Sequence, residues 1–249
     1  MKNLIPSRST SHKLSENNGE ESHWVSVSDL MTSLMMIFLF VSVVLMREAF
    51  IERDKIREIA VSYQEIQIAI YNALVTEFGK DLASWNAVIE RDTLTVSFHA
   101  PELLFAPGRN ELSEAYQQLL DSFFPRYLRI LQQYESSINE VRIEGHTSTY
   151  WNRNATPEEA YFQNMELSQG RTRTVLSYIY HQQTDEATQA WIKRNIAAVG
   201  LSSSRLLKLD DGVEDEEGSR RVSFRVITNA DIKIKRILDL GDENKTETH

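Results

Sequence analysis

The sequence of 249 residues contains no cysteine. That excludes thiol catalysis and a thiolate metal site, and it leaves the redox compartment open, because many exported domains fold without disulfides. Proline and glycine are scarce, at 5 and 9 residues, so most of the chain is expected to fold. Basic residues are outnumbered, 27 against 36 acidic ones, for a net charge of −9. A nucleic-acid partner, whose phosphates demand a basic face, is therefore not expected. Neither metal-ligand spacing nor a nucleophile–base pair occurs among the six histidines, so no enzyme is expected and no metal site is assigned.

A long apolar run is present near the start. Residues 1–22 are polar and are expected to form a disordered arm. Trp24 to Met46 then runs for 23 residues with a single charge, Asp29. At ~1.5 Å per residue it covers about 34 Å, enough for a hydrocarbon core of roughly 30 Å. A transmembrane helix over 23–46 is expected, with Trp24 at one interface and Arg47 and Glu48 closing it. A cleavable signal peptide fits poorly, because Glu20 and Glu21 precede the run and no A-x-A site follows. Basic residues flank both sides, so charge alone leaves the orientation open.

Residues 47–84 read as a helical linker ended near Gly79. Ile56, Tyr63 and Ile70 are spaced by seven, as are Ile59, Ile66 and Ala73. Two readings of this seam stand: a helix packed on its own domain, or a parallel dimer stem. A domain over 85–230 follows, with strands at Thr93–His99, Val141–Glu144, Ile196–Val199 and Arg221–Ile227. Helices are expected at Glu111–Gln133 and Pro157–Gln182. This βαβαββ order predicts an α+β fold, a sheet covered by helices on one face. Asp210–Gly218 reads as a solvated acidic turn rather than a calcium site. Asp231–Leu240 is amphipathic, and 231–249 forms a charged tail.

Two sets of residues carry chemistry. An acid in a bilayer segment costs ~2.5–3.5 kcal/mol on insertion scales, which makes Asp29 a functional candidate unless it stays solvated at the interface. Ser26, Asp29 and Ser33 share a helical face, with Thr32 beside them, and this polar stripe suits an ion path. In the second set, Asn164, Leu167, Ser168 and Arg171 form N-x-x-L-S-x-x-R, which puts Asn164, Leu167 and Arg171 on one face. Arg171 offers a planar fork for a carboxylate, unless it serves an ordinary surface ion pair. Gly145–His146–Thr147–Ser148 directly follows a strand.

Trp24, Ser28–Asp29–Leu30 and Met31–Thr32, followed by a run rich in Met and Phe, resemble the W-x(4,6)-D-[LFM]-M-T signature of flagellar stator B subunits. That resemblance implies a bacterial inner-membrane protein with a cytoplasmic N-terminus and a periplasmic C-terminal domain, in which Asp29 carries the coupling ion. No cofactor is expected beyond that ion. A proton is favoured over sodium because no richer ligand set surrounds Asp29. A multi-span A subunit is the implied partner.

Leu103–Leu104–Phe105, Ile143–Glu144–Gly145–His146–Thr147, the N-x-x-L-S-x-x-R helix, Gly200 and Ser219–Arg220–Arg221–Val222 occur in the order of the OmpA/MotB C-terminal domain. The resemblance covers roughly residues 93–228 and implies binding to the diaminopimelate of a peptidoglycan stem peptide, with Thr147, Ser148, Asn164, Leu167, Ser168 and Arg171 at the site. Three departures stand out. Ser148 replaces an acid that would hold the ligand's ammonium, which leaves Glu158 or Glu159 as candidates for that contact. Residues 149–163 also form a longer insertion than usual. Ser219 replaces the usual Asn of N-R-R. Together with the span, these features resemble the stator-like B subunits of Zorya anti-phage defence systems. In that family two B copies, a homodimer, sit within five A subunits. A flagellar stator subunit and a passive wall tether are the alternatives; Tol- or Ton-type subunits lack the N-x-x-L-S-x-x-R helix.

Overall fold

The computed structural model describes residues 17–99, 104, 105 and 108–229. The chain divides into two units, residues 1–58 and 59–249. Helix α1 (Asn17–Phe78) begins in the first and ends in the second. It starts inside the stretch expected as an arm, of which residues 1–16 lie outside the described residues. The expected tail 231–249 and its amphipathic piece Asp231–Leu240 lie outside them too.

Between Glu20 and Phe78 no glycine or proline interrupts the sequence, which lets one helix run through it. In the first unit, Val27–Glu58 is long and apolar enough to cross a membrane by length and composition. Its large apolar side chains from Leu30 to Met46 are exposed along the helix. In the second unit, Ile70, Leu74 and Phe78 succeed one another at four-residue steps and are fully buried in the domain core. Ile66 and Ala73 pack half-buried against that core. The later part of the heptad seam is thus packed on its own domain, whereas Ile56 is exposed and the side chains of Ile59 and Tyr63 lie outside the described residues. Past Phe78 the chain turns at Gly79, whose N–H donates to Val75 O at 2.8 Å.

The sheet contains β1 (Ala87–Glu90), β2 (Thr95–His99), β3 (Ile138–His146), β4 (Ile196–Ser202) and β5 (Arg221–Thr228), in the order β1-β2-β5-β3-β4. Among the described strands, only β3 and β4 pair in parallel. A parallel pair needs a crossover, here built from α3 (Pro157–His181) and α4 (Glu186–Asn195). Helix α2 (Glu114–Gln133) links β2 to β3, and a single turn, α5 (Glu216–Ser219), precedes β5. The expected βαβαββ order is present. The structure adds β1 at the sheet edge and α4 before β4.

Local chemistry sets the helix starts. Ser113 accepts from the Tyr116 N–H at 3.0 Å and caps α2. Thr156 and Glu159 form a reciprocal capping box on α3, with Pro157 in the first turn where its missing N–H costs nothing. Asp185 caps α4, whose last turn carries Lys193 and Arg194 against the negative helix end.

Strand alternation sends Val96, Phe98, Val141, Ile143, Val222, Phe224 and Val226 into the core, and Ser97, Arg142, Glu144, Ser223 and Arg225 to the opposite face. Phe123 of α2 is central to that core, with ring centroids 5.0 Å from Phe78 and Phe98, 4.9 Å from Tyr127 and 5.2 Å from Phe224. Arg126 lies 4.8 Å over Phe78 and bonds Glu77 at 2.6 Å and Asp81 at 2.8 Å, which clasps the end of α1 to α2. Phe123→Ala is expected to lower unfolding free energy by about 3–5 kcal/mol. Urea titration in mild detergent, followed by tryptophan emission, would measure it; a loss under about 1 kcal/mol would mean Phe123 is not central to the core.

Candidate functional site

Helix α3 lies close against the β3–β4 pair because glycine faces it on both strands. A Cβ at Gly145 would stand 2.7 Å from Ser168 O, and one at Gly200 would stand 2.5 Å from Gln169 N. This approach brings the N-terminal half of α3 over the residues that follow β3. The result is a pocket of ≈ 590 Å³. Thr147 and Ser148 line it from the end of β3, Asn164, Leu167 and Arg171 from α3, and Gly108 from the segment before α2. The 149–163 insertion contributes Tyr150, Trp151 and Asn152, and the loop into β5 contributes Glu216 and Arg220.

Five of the six expected pocket residues therefore meet. Ser168 does not line the pocket. Its buried hydroxyl accepts from the Ser202 N–H at 3.2 Å and donates to Met165 O at 3.0 Å, so it fastens α3 to the end of β4. Asn164 is buried and donates to Ser148 O at 3.1 Å and Tyr150 O at 3.3 Å, which fixes the start of the insertion. Arg171 is buried, donates through Nε to Arg109 O at 3.2 Å and stacks 4.8 Å over Phe105. Such a hold orients the planar guanidinium. Thr147 is 4% exposed, and its Oγ1 has no hydrogen-bond partner among the described residues. A buried hydroxyl left so calls for a partner such as a water, an ion or a ligand.

Neither Glu158 nor Glu159 lines the pocket. Glu159 is held in the α3 cap, accepting from the Thr156 N–H at 2.8 Å, and Glu158 is exposed on the first turn. The acidic stretch Asp210–Gly218 is more than a solvated turn. Glu214 accepts from Thr149 N–H at 2.9 Å, Asp215 accepts from Gly218 N–H at 2.9 Å, and Glu216 reaches the pocket. Among the described residues, no acidic or histidine group of three is placed to hold a metal ion. Ser219, in place of the expected Asn, is fully buried and accepts from the Leu207 N–H at 2.9 Å.

On α1, Asp29, Thr32 and Ser33 are exposed, and Thr32 Oγ1 donates to Ser28 O at 2.7 Å. Ser26 lies on the same helix, with its side chain outside the described residues, as is Leu103 of the Leu103–Leu104–Phe105 motif. Leu104 and Phe105 are buried.

Over 226 residues the sequence is 49% identical to the Zorya protein ZorB of Escherichia coli strain Crooks, covering 91% of this chain and 96% of that protein. The chain belongs to the ZorB family. Residues 104–220 match the OmpA family, a range that in this ZorB-family chain begins beside Phe105 and ends at Arg220 of the pocket. Among solved structures it is similar to a MotB-like protein from Desulfovibrio vulgaris, at 25% identity and a TM-score of 0.46, covering 69% of this chain and 94% of that one. It is also similar to the cell wall anchor of the T6SS from Pseudomonas aeruginosa, at 22% identity and a TM-score of 0.41, covering 63% and 97%.

Beside the pocket, the ZorB-family chain buries two titratable groups at the end of β3. His146 Nε2 lies 3.6 Å from Glu144 Oε2, with both side chains nearly inaccessible. Burial, with the nearby charges of Arg221 and Arg205, pushes His146 below its ordinary 6.5 against the pull of Glu144. Burial alone would raise Glu144, but the contact with His146 and the charges of Arg225 and Arg205 hold it below 4.5. His99 is lowered too, by burial and Arg221. A histidine lowered on folding stabilises the fold fully above its unfolded value, and that stability is lost as pH falls from there through the folded value. Glu144, lowered from 4.5, adds its own loss only as pH falls through about 5.5 and below. Stability should therefore fall between about pH 7.5 and 5.5 through the histidines. His146→Gln should remove part of that fall, with His99 supplying the rest. Urea midpoints at the two values test it; an equal fall in the variant would exclude His146.

Proposed function

We propose that the chain is the stator-like B subunit of an ion-driven membrane motor anchored to peptidoglycan and acting in anti-phage defence. Residues 23–46 cross the inner membrane, the N-terminus is cytoplasmic, and the domain over 85–230 is periplasmic. The observation that carries this reading is the pocket itself, in which Thr147, Ser148, Asn164, Leu167 and Arg171 meet from separate elements. Membership of the ZorB family and the OmpA-family match over the same residues support it.

In the wall-bound end, Arg171 receives a carboxylate of the stem peptide, with its plane held by Phe105 and Arg109 O. Asn164 shapes the rim, and Thr147 offers its unpartnered hydroxyl. At the membrane end Asp29 takes and releases the coupling ion, a proton, with Ser26, Thr32 and Ser33 along its path. A single charge crossing the membrane potential releases roughly 2.3 kcal/mol per 100 mV. An acid charged in one helix packing and neutral in another couples that energy to motion of the surrounding A subunit. Two B copies with five A subunits complete the assembly.

Phage plating on cells carrying the native gene neighbourhood tests the motor. Asp29→Asn, at matched protein level, is expected to abolish protection; survival of protection would favour a passive tether. Cosedimentation of the full chain with isolated sacculi tests the anchor. Arg171→Ala should weaken it at least tenfold, on the order of a lost charge-assisted bond. Equal sedimentation of the variant would remove Arg171 from the site.

A further inference from the structure

The pocket's second charged half comes from the loop into β5. Ser148 stands where an acid would face a ligand ammonium, and a hydroxyl holds that cation less well than a carboxylate. Of the acids on this loop, Glu214 is engaged by Thr149, and Asp215 caps the Gly218 N–H. Glu216 is exposed and lines the pocket alongside Ser148, and its carboxylate has no hydrogen-bond or ion-pair partner among the described residues. Its backbone is nonetheless fixed: Arg220 Nε donates to Glu216 O at 3.1 Å, and the Glu214–Thr149 bonds tie the loop to the end of the β3 segment. Arg220 lines the pocket as well.

Among the described residues, two guanidinium groups, Arg171 and Arg220, thus share the pocket with one carboxylate, Glu216, and with the Thr147 hydroxyl. That inventory is complementary to a group carrying carboxylates and one ammonium close together. We infer that Glu216 holds the ammonium of a zwitterionic amino-acid terminus, with Arg220 sharing its carboxylate with Arg171. The role expected of an acid at position 148 has passed to a residue 68 positions later in the chain, delivered by the loop. This rests on the peptidoglycan reading and names the group that selects the ligand's amine.

The test uses the full chain in detergent and a soluble stem tripeptide blocked at its first residue, N-acetyl-L-Ala–γ-D-Glu–meso-diaminopimelate, with a derivative acetylated also on the remaining free amine, that of the diaminopimelate. Calorimetry should find that the wild type prefers the free amine by about fivefold, the upper scale of one exposed ion-pair contact. Glu216→Gln should lose that preference while keeping its affinity for the doubly acetylated peptide. Adding Ser148→Asp to Glu216→Gln should restore the preference, an outcome that a merely structural role for Glu216 would not produce. If Glu216→Gln still prefers the free amine, the inference is overturned while the peptidoglycan reading stands. If the wild type binds neither tripeptide nor sacculi, both are overturned.

Discussion

Close contact between α3 and the β3–β4 pair decides where the walls of the pocket stand. The two surfaces meet through glycine: Gly145 faces Ser168 and Thr172, and Gly200 faces Gln169. A side chain at either strand position would push the helix outward, and Asn164, Leu167 and Arg171 would move with it. The hydroxyl of Ser168 locks the same contact by accepting from Ser202 N–H. From that fixed helix the other parts follow. Asn164 reaches back to Ser148 O and Tyr150 O, and Arg171 reaches across to Arg109 O and Phe105. Backbone oxygens rather than other side chains receive most of these bonds, so the loops are held where they leave the sheet.

What could be read in the sequence follows from the range of each signal. The spacing of Asn164, Leu167 and Arg171 is helical and local, and Thr147 and Ser148 directly follow a strand, so both halves of the pocket were visible as motifs. Glu216 was not, and Arg220 stood out only within S-R-R-V and not as a pocket residue, because their place depends on how a loop returns to the end of β3, and nothing in D-E-E-G-S-R-R announces that. Ser168 sits inside the motif but faces β4, a distinction that periodicity of i, i+3 and i+4 does not resolve for neighbouring positions. Strand β1 is four residues long and lies at the sheet edge, too short for alternation to register. Helix α4 buries only Trp191 and Ile192 in ten residues, which is little periodicity to find.

The heptad seam shows a different limit. Over three turns, a 3.5-residue coiled-coil period and the 3.6-residue period of a helix packed on a globular core differ by too little to separate. Ile66, Ile70 and Ala73 fit both, and burial decides for the core: Ile70 has no exposed surface and shares its environment with Leu74 and Phe78. The Arg126 clasp on Glu77 and Asp81 explains why this end of α1 belongs to the domain. An ion-paired guanidinium stacked on Phe78 joins helix and domain by charge and by area together.

On the proposed reading, the two functional ends have energies that must be compared. Proton transfer at Asp29 releases roughly 2.3 kcal/mol per 100 mV for each charge. Motion of a partner yields work only against a fixed point, and the pocket is that point. A millimolar contact is worth about 4 kcal/mol, more than one such transfer but less than two. A single weakly bound pocket would therefore slip under successive steps. Two copies in one assembly change this, because the second pocket binds as an intramolecular event at an effective concentration set by the chain joining it to the first. A pocket of modest affinity, presented twice, is then sufficient, and the selection of a zwitterionic end by Arg171 and Glu216 serves to place the contact rather than to make it tight.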